Sequence, residues 1–363
     1  MVTAVRGPVI TGWSAVSPFG IGREAFAEGV RSGRPAATAL DAEQWGGADE
    51  QACLVPDFAI RDVLGRKGTR SMDRVTGLAV TAIGRLIEES GGSAADLGGE
   101  SAALVLGTNT GSAQSMMDLT RDTFLQEKPF YVDPSHFPNT VMNCASGQCA
   151  IWYGLKGPNA TVAAGRASGL MALNYARRLL AAGRARTVLC GAVEEYSAAR
   201  SWLELHVRGA DESDTVLGEG CAVLKVEPAD SVPPGGGLAE VLLVEAGIVG
   251  PQGVAASLTA CIERAVRRSG VRPEDVWAVS PSSPAGAAGA EERAALQAAF
   301  GAPAPRWVPQ PARMGDTSAA TATFQVVSVL ALAAEDPAAR GRTAVVTSVD
   351  RDGALACALL RLR

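Results

Sequence analysis

An internal repeat constrains the fold of this chain more than any other feature of its sequence. Residues 184–193 read RARTVLCGAV and residues 340–349 read RGRTAVVTSV, so each copy places R-x-R-T before an apolar stretch. Each copy also follows a run of apolar residues at helical spacing, which predicts a helix and then a buried strand in both places. A repeated helix–strand unit indicates a chain that arose by duplication and folds as two similar halves.

The boundary between the halves is predicted at residues 231–237, where the sequence SVPPGGG is rich in Pro and Gly. This prediction assigns residues 1–230 to an N-terminal half and residues 238–363 to a C-terminal half. Strands alternate with helices in both halves, a pattern typical of buried, largely parallel sheets covered by helices. The predicted fold class is therefore α/β, with two duplicated halves.

Apolar spacing and turn residues also predict individual elements of the first half. Residues 35–67 carry no clear periodicity and are predicted to be irregular. The other predictions are a β run over 8–20, a strand over 102–107, and helices over 22–32, 69–90, 112–126 and 141–155, with a proline-punctuated loop over 129–139.

A sharp strand-to-helix turn is predicted within residues 160–170, which read ATVAAGRASGL. Arg166 lies at this elbow, beside the unpaired N–H groups and the positive end of the following helix, a place that suits a thiolate or another anion. The residue found there is a cation instead. Counting back from the repeat places the corresponding elbow of the second half just before Thr317, so Asp316 is the repeat mate of Arg166.

Composition excludes several classes of function. The formal net charge of −5 argues against a nucleic-acid partner, because neutralising phosphates requires clustered Lys and Arg. No apolar run reaches the length of a transmembrane helix, so we expect a cytoplasmic protein with no membrane partner. The seven cysteines are scattered and form no C-x-x-C pair, a pattern typical of small core residues in a reducing compartment. No metal site and no cofactor are predicted.

Several separate motifs resemble the β-ketoacyl synthases of the thiolase superfamily, and they occur in that family's order. They are VITGWSAVSPFGIGREAF at 9–26, FPNTVMNCASGQCAIWYGLKGPNATVAAGRASGL at 137–170, GEGCAVLKVE at 218–227, and the closing helix and strand. The resemblance implies a five-layered α/β/α/β/α fold made of two similar halves, in agreement with the repeat.

The residues that the family's chemistry requires are missing. The resemblance implies a nucleophilic Cys at the elbow and two His in the second half, since a thiolate accepts the acyl chain and imidazoles stabilise the enolate. Arg166 stands at the Cys position, Pro281 lies in the stretch that matches the first His motif, and Asp316 replaces the second His. The family's closing glycine-rich loop is replaced by the sequence DRDG at 350–353.

The histidine count supports this interpretation without any alignment. The only histidines are His136 and His206, so none follows residue 206, where a condensing enzyme needs both. Cys144 and Cys149 are alternative nucleophiles on the predicted helix 141–155, but free cysteines are among the most buried residue types, and packing is the favoured interpretation. We therefore expect no condensing activity from this chain alone.

With the Cys and both His absent, this sequence resembles the chain length factors, which are the inactive partners of the ketosynthase in bacterial type II polyketide synthases. The elbow residue in that group is usually Gln, so Arg166 departs from this pattern as well. The resemblance implies a heterodimer with an active ketosynthase, a growing polyketide in a shared tunnel, and access of an acyl carrier protein through the complex.

The resemblance also implies which residues meet the partner. The strand before the elbow would pair antiparallel with its counterpart across a pseudo-twofold axis, and the helix and loop over 112–137 would approach the partner's acyl tunnel. A methionine and aromatic stripe at helical spacing is also compatible with ordinary core packing. The predicted dimer strand is Asn159, Ala160, Thr161, Val162, Ala163 and Ala164, and the predicted tunnel or interface residues are Ser112, Met116, Met117, Leu119, Thr120, Phe124 and Phe137.

Two other functions remain open at this stage. One is an independent acyltransferase with an unorthodox nucleophile, and the other is a homodimeric scaffold that binds an acyl carrier protein. A further prediction concerns the two elbows, which the family brings together so that its Cys and His can meet. Because burying an unpaired guanidinium is costly, Arg166 and Asp316 are predicted to form an ion pair.

Overall fold

The structure is a computed structural model that describes residues 7–93, 97, 99–301, 304–308 and 311–363. Its strands are β1 (Val9–Ser17), β2 (Gly20–Ile21), β3 (Thr38–Ala39), β4 (Gln51–Cys53), β5 (Ala102–Gly107), β6 (Asn159–Val162), β7 (Thr187–Glu194), β8 (Leu217–Gly218), β9 (Gly220–Glu227), β10 (Ala239–Ile248), β11 (Val276–Ser280), β12 (Arg306–Trp307), β13 (Thr343–Val349) and β14 (Ala354–Leu362). Its helices are α1 (Arg23–Ser32), α2 (Ala42–Trp45), α3 (Ile60–Leu64), α4 (Arg74–Glu89), α5 (Ala113–Leu125), α6 (Cys144–Tyr153), α7 (Ser168–Ala181), α8 (Ala198–Val207), α9 (Gly253–Ser269), α10 (Gly286–Phe300), α11 (Pro311–Met314) and α12 (Thr321–Ala333).

The main sheet contains the same five-stranded pattern twice. Its strands follow the order β12-β11-β13-β14-β10-β1-β9-β7-β5-β6, which is symmetric about the junction of β10 and β1. In the first half β5 is parallel to β6 and β7, and β9 is antiparallel to β7 and β1. In the second half β11 is parallel to β12 and β13, and β14 is antiparallel to β13 and β10. The predicted duplication is thereby confirmed.

The two half-sheets join through a short antiparallel contact, in which Val9 pairs with Glu240 and Ile10 with Ala239. The proline- and glycine-rich stretch at 231–237 lies in the connection from β9 to β10, just before the strand pattern begins again. The division of the chain into residues 1–230 and 238–363 stays a prediction.

Helices cover both faces of each half-sheet and produce five layers. One outer layer contains α4 and α6, whose apolar residues pack on the first half-sheet. The other outer layer contains α9 and α10, which pack on the second. Between the half-sheets lie α7 and α12, and every residue of α12 from Thr321 to Ala331 is buried. This is the predicted α/β/α/β/α arrangement of the thiolase-like fold.

The strand sequences explain why both faces of the sheet are covered. In β5, Ala103 and Val105 contact the central helices, whereas Leu104 and Leu106 contact the outer layer with α4 and α6. Because alternate side chains of a strand point to opposite faces, a strand buried on both faces reads as one continuous apolar run. The predicted strand 102–107 is therefore confirmed to the residue.

The prediction of an irregular segment over 35–67 is wrong in part. This segment contains β3, α2, β4 and α3, and β4 pairs in parallel with β8 through Ala52 and Leu217. The pairing joins residues far apart in the sequence, so local periodicity carries no signal for it. Among the described residues, no helix combines the length and the apolar character that crossing a membrane requires.

Candidate functional site

Two matching elbows meet at the centre of the molecule. Gly165 precedes Arg166 with φ 54°, and Gly315 precedes Asp316 with φ 69°, so each elbow uses a glycine in the left-handed region. Each elbow leads into a buried central helix, α7 in the first half and the segment before α12 in the second. The repeat relation between Arg166 and Asp316 is thus present in the backbone conformation as well.

Glycines at these elbows also allow close approach of the two halves. A Cβ atom on Gly165 would lie 2.1 Å from Cγ of Asp350, and a Cβ atom on Gly169 would lie 2.2 Å from Oγ1 of Thr323. Any larger residue at either position would push the second half away from the first elbow. The A-G-R-A-S-G sequence is therefore needed for the contact between the halves.

Arg166 forms a buried salt cluster with two aspartates of the second half. Its guanidinium is 4% exposed and donates through Nη2 to Oδ2 of Asp316. Its Nη1 lies 3.7 Å from Oδ1 of Asp350, and its backbone N–H donates to the same oxygen at 2.8 Å. The predicted ion pair between Arg166 and Asp316 is confirmed, and Asp350 is a second carboxylate that the sequence interpretation missed.

A second buried arginine holds the backbone of this cluster. Arg200 of α8 is fully buried, and its Nη2 donates to the carbonyl oxygen of Asp316 at 2.9 Å. Its Nη1 donates to the carbonyl oxygens of Glu195 and Gly218 at 2.8 and 2.7 Å. The side chain of Asp316 also accepts the backbone N–H of Ser318 at 2.8 Å. Arg200 therefore ties α8 to the second elbow.

The electrostatics of the cluster keep its groups charged. Burial opposes ionisation of Asp316, but the positive charges of Arg166 and Arg200 outweigh burial and lower the pKa of Asp316 to about 2. Burial likewise opposes the charge on Arg166, and Asp316 more than compensates, so the pKa of Arg166 is raised. An ionised carboxylate paired with a permanently charged guanidinium offers neither a nucleophile nor a proton for transfer near neutral pH.

The loop that matches the family's first histidine motif is organised by a buried glutamate. Glu292 of α10 accepts the backbone N–H groups of Ser282 and Ser283 at 3.0 and 2.7 Å, and also the hydroxyl of Thr347 at 2.7 Å. Pro281 is buried at the start of this loop. Burial raises the pKa of Glu292, and its partners are all neutral donors. The loop is thus built from packing and hydrogen bonds.

The aspartate-rich turn at 350–353 closes the cluster on the side of α8. Arg351 lies 3.0 Å from Glu204 of α8 and 3.7 Å from Glu212. On the other side, Arg166 and Asp316 line a cavity of 650 Å³ together with Ser282, Pro284, Val216 and neighbouring residues. The position that would hold a nucleophile is filled by the salt cluster, although space remains in front of it.

Cys53 lines the same cavity as Arg166 and Asp316, but burial raises the pKa of its thiol to about 12, and the other candidate nucleophiles and bases do not line this cavity. His136 and His206 are exposed, and neither lines the cavities that contain Arg166 and Asp316. All seven cysteines are free and buried, which confirms the packing interpretation. Burial raises the pKa of Cys144 to about 11 and that of Cys149 beyond it. Within the described part of the chain, no group of His, Cys, Asp and Glu has the arrangement of a metal site.

The predicted tunnel or interface residues lie together on α5 and the loop after it. Met116, Met117, Thr120 and Phe124 are exposed in the single chain, and Phe124 is 81% exposed. They are therefore not ordinary core residues. Phe137 is also exposed and begins a 3₁₀ helix over 137–140, Leu119 is half-buried, and Ser112 is buried and caps α5 by accepting the N–H of Ser115. Their part in a tunnel stays a prediction.

The predicted dimer strand is shorter than expected and lies at an open edge. β6 covers Asn159–Val162, whereas Ala163 and Ala164 already lead into the elbow. Ala160 and Thr161 are half-buried and pair only with β5, through Val105 and Leu106, so the other side of the strand has no neighbour among the described strands. Beyond the strand, the N–H of Ala167 donates to the carbonyl oxygen of Ala164 at 3.1 Å, and this turn around Gly165 ends the extended conformation.

Comparison with known proteins agrees with this geometry. A family model described as "Beta-ketoacyl synthase, N-terminal domain" matches residues 8–243. A chain of the solved structure titled "The ishigamide ketosynthase/chain length factor" is 44% identical, with a TM-score of 0.91, covering 98% of this chain and 99% of that chain.

Two further relatives are more distant. One is a chain of the structure of AntDE:AntF, a type II PKS acyl-carrier protein in complex with its ketosynthase. Its TM-score is 0.83 at 19% identity, and the match covers 99% of this chain and 100% of that chain, which shows a likeness of fold. The 3-oxoacyl-[acyl-carrier-protein] synthase 2 of Synechocystis sp. is 29% identical over 245 residues, which span 61% of this chain and 58% of that relative. A family model that spans more than half of the chain, together with 44% identity over nearly its whole length, shows that this chain belongs to the β-ketoacyl synthase family.

Proposed function

We propose that this chain is a chain length factor of a type II polyketide synthase. It pairs with an active ketosynthase and shapes the tunnel in which the polyketide grows, without carrying out condensation itself. The observation that carries the proposal is the salt cluster of Arg166, Asp316 and Asp350, which fills the elbow where the family needs a cysteine. Ion pairing at this site keeps the fold stable, while the nucleophile that the chemistry needs is absent from the elbow.

The exposed apolar residues support a partner at one face. Large apolar side chains remain exposed on α5 and in the segment that leads from it to α6, and α6 in turn contacts β6. They include Met116, Met117, Phe124, Leu125, Phe130, Tyr131, Phe137 and Val141. An apolar surface of this extent is typical of an interface with another protein, and an open strand edge offers backbone groups for pairing. The ketosynthase subunit covers this face in the proposed heterodimer.

The partners follow from the same proposal. An acyl carrier protein delivers building blocks to the ketosynthase subunit and meets this chain only through the complex. The structures titled ishigamide ketosynthase/chain length factor and AntDE:AntF lend support, since their titles name these kinds of assembly. The complex is placed in the cytoplasm, and no nucleic acid or membrane takes part.

Acyl labelling of the purified complex tests the proposal. The complex is incubated with a radiolabelled acyl carrier protein thioester, and the subunits are separated under denaturing conditions. We expect label on the ketosynthase subunit and none on this chain, because burial keeps the pKa of thiols such as Cys144 and Cys53 far above neutral pH. A ketosynthase subunit with its nucleophilic cysteine replaced serves as the control and abolishes the label.

The alternative functions predict other outcomes of the same preparation. Label on this chain, retained when the ketosynthase nucleophile is removed, would support an independent acyltransferase. Failure to associate with any ketosynthase, together with a stable homodimer that binds an acyl carrier protein, would support a scaffold. Either result would overturn the proposed function.

A further inference from the structure

A second cavity, of 490 Å³, lies apart from the salt cluster and has an acidic wall. It is bounded by α2, the beginning of α4, the first turns of α5 and the segment that follows β7. Asp73 and Glu195 both line it, and so do Ser112, Ser115 and Asn139. One buried oxygen of Asp73 and one of Glu195 have no hydrogen-bond partner among the described residues.

Glu195 is the clearest case of an unpartnered acid. It is 1% exposed, and its Oε2 accepts the backbone N–H of Val75 at 3.0 Å. Its other oxygen, Oε1, is buried and has no hydrogen-bond partner among the described residues. Burial, followed by the negative charge of Asp73, raises the pKa of Glu195 to about 8. A buried carboxyl group in this state is costly unless a cation or a proton compensates it.

Asp73 shows the same deficit at the other side. Its Oδ1 caps α4 by accepting the N–H of Thr76 at 3.0 Å, whereas its buried Oδ2 has no hydrogen-bond partner in the described part of the chain. Burial raises the pKa of Asp73, although the neighbouring hydroxyls of Thr76 and Ser112 oppose this effect. Because the charge of Asp73 adds to the cost of ionising Glu195, a cation beside these carboxyl groups is favoured.

The two basic side chains that line the cavity, Arg74 and His136, have other partners. Arg74 lines the same cavity, but its guanidinium forms a double hydrogen bond with Glu219, at 2.7 and 2.5 Å. The guanidinium also stacks over the ring of Trp45 at 5.0 Å. His136 is exposed and lies 3.9 Å from Asp133. Neither side chain compensates Glu195.

The cavity lies next to the face assigned to the ketosynthase subunit. Ser112, Ser115 and Asp118 form its wall on α5, and Met116 and Met117 follow on the exposed side of the same turns. A partner that covers the methionines therefore also reaches the mouth of the cavity. The charge of the wall then selects which kind of partner side chain enters.

We propose that this cavity is a socket for one cationic side chain of the ketosynthase subunit, an arginine or a lysine, which pairs with Glu195 and Asp73. The inference rests on the proposed heterodimer and adds a residue-level determinant of partner choice to it. The two buried carboxyl groups destabilise the free chain and gain a counter-ion only in the complex. This difference favours association with a ketosynthase that carries the cation over self-association.

Charge-neutral variants of the two acids test the socket in the complex. Asp73→Asn keeps the cap of α4, because Asn caps helices as well as Asp does, and Glu195→Gln keeps the oxygen that accepts the N–H of Val75. Each variant is expected to weaken the heterodimer about tenfold or more, since it removes one partner of a buried charge pair. The dissociation constant is measured by subunit exchange between labelled and unlabelled complexes.

Glu43→Gln is the matched control. Glu43 also lines the cavity, but it is exposed on α2, so removing its charge is expected to change the dissociation constant less than about twofold. Unchanged affinity in both Asp73→Asn and Glu195→Gln would overturn the socket while leaving the heterodimer and its product intact. A wild-type chain that fails to bind any ketosynthase would instead overturn the proposed function.

The pH dependence of association separates pairing from a structural role. A cation favours ionised Glu195, so wild-type affinity is expected to rise from about pH 6 to about pH 8, whereas Glu195→Gln loses that rise. A merely structural role of Glu195 leaves the slope unchanged, and that result would overturn the proposal. The other titratable groups around the cavity and Glu195 are Asp73, Asp118, Glu43, His136, Tyr196, Glu194, Glu219 and Arg74.

Discussion

Arg166 occupies a position where a helix N-terminus favours negative charge, and its surroundings reverse that preference. A guanidinium at this end of α7 is disfavoured by about 0.3 to 1 kcal/mol. Asp316 and Asp350 approach from the second half and supply two carboxylates within the same buried space. The elbow thereby becomes a structural contact between the halves, since each half contributes a charge that the other needs.

The repeat made one part of this contact predictable and left another part hidden. Arg166 and Asp316 hold equivalent places in the two halves, so the sequence alone suggested that they meet. Asp350 follows the buried strand β13, and its position at that strand's carboxyl end was the only hint of its role. Nothing near Arg200 in the sequence marks it as fully buried, because its partners are backbone carbonyls of distant residues.

A double-mutant cycle measures the strength of the ion pair. Arg166→Ala leaves two carboxylates buried without their cation, so a loss of about 3 to 5 kcal/mol in the free energy of unfolding is expected. Asp316→Ala and the double variant complete the cycle, and the losses should be non-additive by about 1 to 3 kcal/mol. Urea unfolding of the purified complex provides the measurement.

The exposed pair of Arg31 and Glu335 serves as the control for that cycle. Its side chains are 42% and 50% exposed, so its coupling is expected to stay below about 1 kcal/mol. Strictly additive losses for Arg166 and Asp316 would show that the two side chains contribute independently, against the proposed pairing.

Acid titration provides a second check on Asp316. Its pKa falls from an ordinary 3.8 to about 2 on folding, so its contribution is fully present above about pH 4 and is lost as the pH falls through about 2. The lowered pKa corresponds to about 2 kcal/mol. Asp316→Asn is expected to flatten this part of the stability profile, as measured by thermal unfolding between about pH 2 and about pH 5. An unchanged slope would contradict the ionised pair.

At the scale of elements, α5 presents most of its larger apolar residues outward, and α8 does the same with Trp202, Leu203, Leu205 and Val207. The sequence showed the methionine and aromatic stripe but left open whether it lies in the core or at an interface. The structure excludes the core, with Met116, Met117 and Phe124 exposed. Periodicity alone identifies an apolar face, whereas the neighbour that covers it depends on the packing of distant elements.

Added volume on α5 tests its place beside the growing chain. Thr120→Trp and Met117→Trp fill space on the exposed face while the partner's catalytic groups stay untouched. We expect the reconstituted complex to make shorter products at a similar condensation rate, as measured by mass spectrometry of the released chains. Ala298→Trp places the same side chain on the exposed surface of α10 and is expected to leave the products unchanged. An unaltered product profile for both α5 variants, and for the other α5 positions, would contradict the tunnel assignment.

At the scale of the whole molecule, the two half-sheets leave β6 and β12 at opposite edges. Backbone groups of Pro158 and Val162 accept bonds from the neighbouring segment that contains β5. Because successive residues of a strand alternate in direction, the N–H of Thr161 points to the open side. An open strand edge and an exposed apolar face are both suited to association with another chain.

The last prediction follows from that edge. This chain expressed alone is expected to be insoluble or self-associated, and to become soluble when it is co-expressed with its ketosynthase, because the partner covers the edge and the apolar face. Thr161→Pro removes the outward N–H without removing any bond to β5 and is expected to reduce co-purification with the ketosynthase. Thr161→Val loses the same side-chain contact with Ser146 but keeps the N–H, so it should co-purify normally. Sedimentation of the chain alone as a stable monomer would contradict this prediction, because it would show that the strand edge and the apolar face remain stable in water without a partner.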